Sequence, residues 1–278
     1  MTDDDGATVT PIGDAKRRRK NRPVAAPGLL NLTDYGNAER FAAKYGPRVR
    51  FCPPRKRWYV WDGKRWAADA TGVAMRLAKR VARSIYEEAA RCANDEHRQA
   101  VAKHARDTEK VGRLQALLTL AETEPGIPVM PAELDSDPWL LTAENGTIDL
   151  RTGELRPHNP ADLITRLAPV VYDPDAQSDL WERYLETVTN GDGDLAAYFR
   201  RVAGYAIQGT PTERKFFYLF GPPGTAKSTT IDAISAPLGE YAIATDASTW
   251  LDDPKNRGNR NRGDLVRLAG VRLATAPP

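Results

Sequence analysis

The sequence predicts an α+β N-terminal domain, a helical bundle with β-hairpins, followed by an incomplete α/β P-loop core. Three observations carry this. Apolar residues recur at helical spacing from 72 to 122, with Ala78, Val81, Ala82, Ile85 and Ala89 on one stripe and Val111, Leu114, Leu117, Leu118 and Ala121 on another. Turn signals flank short alternating runs on either side of that stretch. Near the end, an apolar run leads straight into Gly221-Pro222-Pro223-Gly224-Thr225-Ala226-Lys227-Ser228.

Residues 1–28 are polar and charged, with Pro and Gly and no periodicity, and read as a disordered basic tail. Residues 29–175 read as the α+β domain. In it, Asn37–Tyr45 is a short helix stopped by Gly46-Pro47. Arg57–Trp66 alternates and turns on Asp62-Gly63, as a hairpin does. Its Trp and Tyr residues are the core of a small sheet or, alternatively, a surface on which bases stack. The charged stretch between the two apolar stripes is an exposed helix or a connection, and His97 and His104 belong to its solvated face. Glu124-Pro125-Gly126 ends the bundle. Asn145-Gly146 and Arg151-Thr152-Gly153 mark a second hairpin, and Leu163–Tyr172 is a further strand candidate.

Residues 176–212 form a helical lead-in. One helix carries Leu180, Tyr184, Leu185 and Val188 on a face; the next carries Leu195, Phe199, Val202 and Ala206, with Asp192 or Asp194 as its cap. Residues 213–278 are a partial P-loop domain. Phe216–Phe220 has the composition of a buried parallel strand, and Ser228–Leu238 can form the helix behind the loop. Val271–Ala276 reads as a second buried strand.

The loop's chemistry follows from its residue types. Gly221 and Gly224 let the backbone turn its N–H groups toward an oligophosphate, flanked by Pro222, Pro223, Thr225 and Ala226. Lys227 reaches the β- and γ-phosphates, Ser228 places its hydroxyl on Mg²⁺, and Thr229 touches the α-phosphate region. ATP and Mg²⁺ are the expected ligands, and Lys227 and Ser228 the expected catalytic residues. The strict pattern has Gly where Ala226 stands; one methyl is a tolerable deviation unless φ is positive. A motor also needs an acidic residue at the C-terminal end of a neighbouring strand. After Val271–Ala276 come Pro277 and Pro278, while Asp246, Asp252 and Asp253 read as a connecting turn behind the loop helix.

Net charge is only +3, so basic character is local: Lys16–Arg22, Pro54–Trp58 and Lys255–Gly263. Such clusters neutralise nucleic-acid phosphates or are simply solvated. Cys52 and Cys92 lie far apart and read as free thiols in a reducing cytoplasm, and His97, His104 and His158 show no zinc spacing. No run of about 18 apolar residues predicts a membrane span.

With these residues in hand, the chain resembles the phage and plasmid primase–helicase family, whose ATPase part is a superfamily 3 DNA helicase. LTDYGNAERFAAKYG with WYVWDGKRW, ENGTIDLRTGELRPH with VVYDPDA, and GDLAAYFRRVAGYAIQG leading to FFYLFGPPGTAKST carry the resemblance, over about residues 31–250. It implies an AAA+-like core that hydrolyses ATP in a hexameric ring around single-stranded or forked DNA, with an arginine from the neighbouring subunit in each site. It implies DNA replication in a phage, plasmid or prophage, and a cytoplasmic protein. Two departures stand out: Thr225-Ala226 replaces the family's Asn-Gly, and Pro277 stands where the family has its acid. The expectation is a truncated chain that folds at residues 30–210 and does not unwind DNA. The alternative is a non-catalytic DNA-binding module with a vestigial loop; a third is a chaperone-like remodeller.

Overall fold

The computed structural model describes residues 31–210, 212–246, 250 and 267–276. The basic clusters Lys16–Arg22 and Lys255–Gly263, Asp252, Asp253, Pro277 and the tail 1–28 lie outside these residues, as do Asp264, Leu265 and Val266.

The N-terminal part begins with α1 (Asp34–Tyr45), whose cap is Thr33; its side chain accepts from the Gly36 N–H. A single 3₁₀ turn at Gly46–Arg48 stops it. An antiparallel sheet follows, β1 (Val49–Cys52), β2 (Arg57–Trp61) and β3 (Trp66–Ala68). The β2–β3 turn is held by Asp62, whose carboxylate accepts from the N–H groups of Lys64 and Arg65. Three helices come next: α2 (Val73–Ala90), α3 (Asp95–Thr108) and α4 (Val111–Ala121). The charged stretch is therefore a helix. Its cap, Asn94, accepts from the His97 N–H, and only Val101, Ala105 and Thr108 of its residues are buried.

One core joins α1, α2, α3, α4 and β1, with Phe41 edge-on to Tyr45 and Trp58. The hairpin aromatics thus do structural duty: Tyr59 and Trp66 are buried, and Trp58 and Trp61 pack against core clusters. Arg40 is buried within this layer, forking onto Glu88 at 2.8–3.1 Å and donating to the Asn31 carbonyl. His104 does not face solvent. It is half-buried, its Nε2 sits 2.9 Å from Asn37 Oδ1, and burial pushes its pKa below the ordinary value. His97 is half-buried too. Both rings lie one turn or less from the buried stripe of Val101, Ala105 and Thr108, which draws them toward the packed side of the helix.

A second antiparallel sheet is built from β4 (Leu140–Ala143), β5 (Gly146–Asp149) and β6 (Glu154–Arg156). Gly146 is needed at the first turn: a Cβ there would come within 2.6 Å of the Arg156 carbonyl oxygen. The strand predicted at Leu163–Tyr172 does not form. Leu163 adopts a left-handed φ of +53°, and Pro169 has no N–H to give a ladder. The segment instead runs extended beside β4. Ala168 donates to the Thr142 carbonyl and Glu144 to that of Val170, while Ile164 and Ala168 are buried.

Then come α5 (Asp179–Val188), capped by Ser178, and α6 (Gly193–Ile207), capped by Asp192. Leu185 is the buried residue of α5, and Leu180 is 73% exposed; in α6 Ala196 is buried and Leu195 is not. α7 (Lys227–Leu238) leads to β7 (Ala242–Ala244), which pairs in parallel with β8 (Leu273–Thr275). β8 confirms a strand in Val271–Ala276, but half-buried, not buried. This C-terminal unit docks on the second sheet. Tyr241 is buried there; its hydroxyl accepts from the Thr142 N–H and donates to the Arg166 carbonyl, and burial raises its pKa. Arg272 lies over the Tyr241 ring and donates to the carbonyls of Pro138 and Leu140.

The run Phe216–Phe220 is no strand. It makes no ladder with β7 or β8, and Phe216, Tyr218 and Phe220 are 88%, 77% and 81% exposed. A fully apolar strand is stable only when neighbours cover its edges and faces. Among the described residues nothing pairs with it.

Candidate functional site: the glycine loop and its supports

The loop Gly221–Ala226 joins the apolar run to α7. Gly221 and Gly224 take φ values of +150° and +80°, which turn the chain sharply over four residues. Lys227 is the first residue of α7. Its Nζ folds back over the loop and donates to the carbonyls of Gly221 at 2.9 Å and Pro222 at 2.7 Å, and to Thr225 Oγ1 at 3.2 Å. Thr225 Oγ1 in turn donates to the Pro222 carbonyl. Ser228 and Thr229 are exposed in the first turn. Among the described residues, the N–H groups of Gly224 to Ser228 find no backbone acceptor. The site therefore combines an ammonium, free N–H groups and the positive end of a twelve-residue helix.

Ala226 is the point where the sequence expectation fails. It is the N-cap of α7 with φ +59° and ψ +18°, in the left-handed region. Its methyl is thus not a mild intrusion: a non-Gly residue there costs about 1–2 kcal/mol, and Ala is also among the poorest N-caps. Ala226→Gly should raise the stability of this unit by about 1 kcal/mol. Thermal unfolding measures it; a lower midpoint would show that the left-handed geometry is not the one adopted.

Two residues that sequence reasoning left out of the site support the loop from below. Thr230 is buried, and its hydroxyl lies 2.6 Å from the Tyr184 hydroxyl and 3.0 Å from the Ala226 carbonyl oxygen. The Tyr184 hydroxyl is also 3.3 Å from that carbonyl. Trp181 stacks on Tyr184, centroids 5.6 Å apart, and holds its ring in place. Tyr184 thus ties α5 to the strained residue of the loop. Tyr184→Phe removes the hydroxyl without changing the ring, so stability should fall by about 0.5–1.5 kcal/mol, the worth of one neutral hydrogen bond. Equal unfolding midpoints would mean the contact does not shape the loop.

The remaining sequence candidates scatter. Asp246 follows β7 by two residues, and Thr245 before it donates to the Thr275 carbonyl, extending the β7–β8 pairing. Cys52 is buried and Cys92 half-buried, both as free thiols. Among the described residues no helix is long and apolar enough to cross a membrane.

An α+β domain of two small antiparallel sheets and a helical bundle, ending on a helix that braces a glycine loop, is the class the geometry defines. The family is shown by residues 38–190, which match the model of the D5 N-terminal-like family; over more than half its length the chain belongs to that family, the N-terminal domain of D5-like phage and plasmid primase–helicases. The match runs from within α1 to just past α5, and so includes Tyr184 but not the loop. No curated protein matches the chain.

Proposed function

We propose that the chain belongs to an ATP-dependent DNA helicase of phage, plasmid or prophage origin, and that Gly221 to Thr229 bind ATP with Mg²⁺. The single observation behind this is the position of Lys227. Its ammonium is held over two glycine-loop carbonyls at the start of α7, where an oligophosphate would meet it. The residues present fit the nucleotide. Gly224 to Ser228 offer N–H donors, Pro222 and Pro223 stiffen the turn, and Thr225 and Ala226 close it. Lys227 would exchange its carbonyl partners for β- and γ-phosphate oxygens, and the Ser228 hydroxyl would be a ligand of Mg²⁺. Bound Mg²⁺ would neutralise charge on the phosphates. Thr229 stands one position further into the first turn of α7, beside the α-phosphate region.

The family supports the DNA-directed part of the reading, since the matched domain is that of primase–helicases. A homo-oligomeric, hexameric ring is the assembly this lineage suggests. One observation favours a second reading, a DNA-binding module whose loop is vestigial: Phe216–Phe220 is exposed and unpaired, so the loop lacks a strand to anchor its first glycine. ATPase activity with and without single-stranded DNA separates them. DNA-stimulated hydrolysis supports the helicase reading; DNA binding without any nucleotide binding supports the second.

A further inference from the structure

We infer that a cleft between the first sheet and the β7 segment binds the sugar-phosphate backbone of single-stranded nucleic acid. This rests on the DNA-directed part of the reading above, but not on its nucleotide site. The cleft has a volume of about 620 Å³ and is open to solvent on one side. Five arginines line it, Arg55, Arg57, Arg65, Arg166 and Arg267, against one carboxylate, Glu240. They come from three distant parts of the chain: the β1–β3 sheet, the extended segment beside β4, and the approach to β8.

The five have different tasks. Arg65 is paired with Glu240. Arg166 is half-sunk, and its guanidinium donates to the carbonyls of Glu240, Arg267 and Ala269, so it forms part of the frame. The nearby Asp135 is occupied by Thr165, whose N–H and hydroxyl both donate to it. Arg55 donates to the Tyr59 hydroxyl at 3.0 Å, and among the described residues no carboxylate pairs with it. Arg57 is exposed, and among the described residues no carboxylate pairs with it or with Arg267. Among the described residues, three guanidiniums therefore have no carboxylate partner, in a wall that already carries two more.

The chemistry narrows the ligand. Guanidinium forks match phosphate oxygens in pairs. Between the arginines the walls are Ala67, Ala68, Ala242 and Ala269, and Tyr59 is buried in the sheet. The cleft offers charge without a stacking platform, so it reads backbone and not bases. A cleft of this volume encloses one strand, and a duplex could present only one of its two backbones to it. The basic Pro54–Trp58 segment thereby gains a role that its one aromatic, Trp58, packed against the core, does not have.

The test is fluorescence anisotropy of the full chain with a labelled oligothymidylate, without nucleotide, over a series of salt concentrations. Arg55→Gln with Arg57→Gln should lower affinity at least tenfold and make the log–log salt slope shallower by about 1.4, at roughly 0.7 per lost phosphate contact. Arg57→Lys alone, which keeps the charge, should retain most of that slope. Random-sequence oligomers of equal length should bind alike. Lys227→Ala should bind DNA as the wild type does, so failure of the nucleotide site and failure of the cleft are read separately. Wild-type binding by the double glutamine variant, with loss only when Lys16–Arg22 is neutralised, would overturn the inference. So would a clear preference for duplex.

Discussion

Lys227→Ala should weaken ATP binding by roughly 30- to 150-fold, the effect of removing about 2–3 kcal/mol of charge-assisted hydrogen bonding. The size follows from what surrounds the ammonium. It is the one cation the loop itself supplies, it stands at the N-terminus of α7, and three loop oxygens within 3.2 Å already hold it over the turn. An oligophosphate with several negative charges would replace neutral carbonyls as its partner, so the exchange favours the bound state. The backbone N–H groups and helix dipole remain in the variant, which is why binding weakens and does not vanish. Because Lys227 also ties Gly221 and Pro222 in the free chain, circular dichroism should accompany the titration. Unchanged helicity with lost affinity is the expected pair of results. Affinity within a factor of two of wild type would remove the loop from the nucleotide site.

Trp66→Ala should destabilise the N-terminal domain by about 3–5 kcal/mol. Trp66 is fully buried where the first sheet meets the segment that follows β6. Its indole N–H donates to the Pro160 carbonyl at 2.8 Å, its backbone N–H to that of Ile164 at 2.8 Å, and the Arg50 guanidinium lies 4.5 Å from its ring. Truncation leaves a cavity, an unpaired carbonyl and an uncovered cation at once. Trp66→Phe keeps much of the volume but loses the indole donor, and should cost about 1–2 kcal/mol. Urea unfolding measures both. A loss below about 1 kcal/mol for the alanine variant would show that the two layers do not depend on this residue.

Where local physics decided the outcome, the sequence was informative. The 3.6-residue stripes placed α2 and α4, Asp192 and the glycine loop marked the starts of α6 and α7, and Asp62-Gly63 and Asn145-Gly146 marked real turns. Where distant parts decide, it was not. Leu163–Tyr172 has strand composition, but a left-handed Leu163 and a donorless Pro169 keep it irregular. Phe216–Phe220 has the composition of a central strand, yet a strand exists only with a partner. The backbone angle of Ala226 is not written in its residue type. The Tyr184–Thr230 contact spans 46 residues and the arginines of the cleft come from across the chain, so neither leaves a local signal. A tyrosine on the inner face of α5, with a threonine two residues after the Lys-Ser pair, was the only trace of the first.

The central claim is that the loop from Gly221 to Thr229 holds ATP through Mg²⁺. Isothermal titration of the wild-type chain with ATP, in the presence and then the absence of Mg²⁺, tests it most directly. The account predicts submillimolar binding that weakens at least tenfold when Mg²⁺ is withdrawn, since Ser228 and the phosphates are then no longer bridged. No measurable binding, or binding that is indifferent to Mg²⁺, would contradict it.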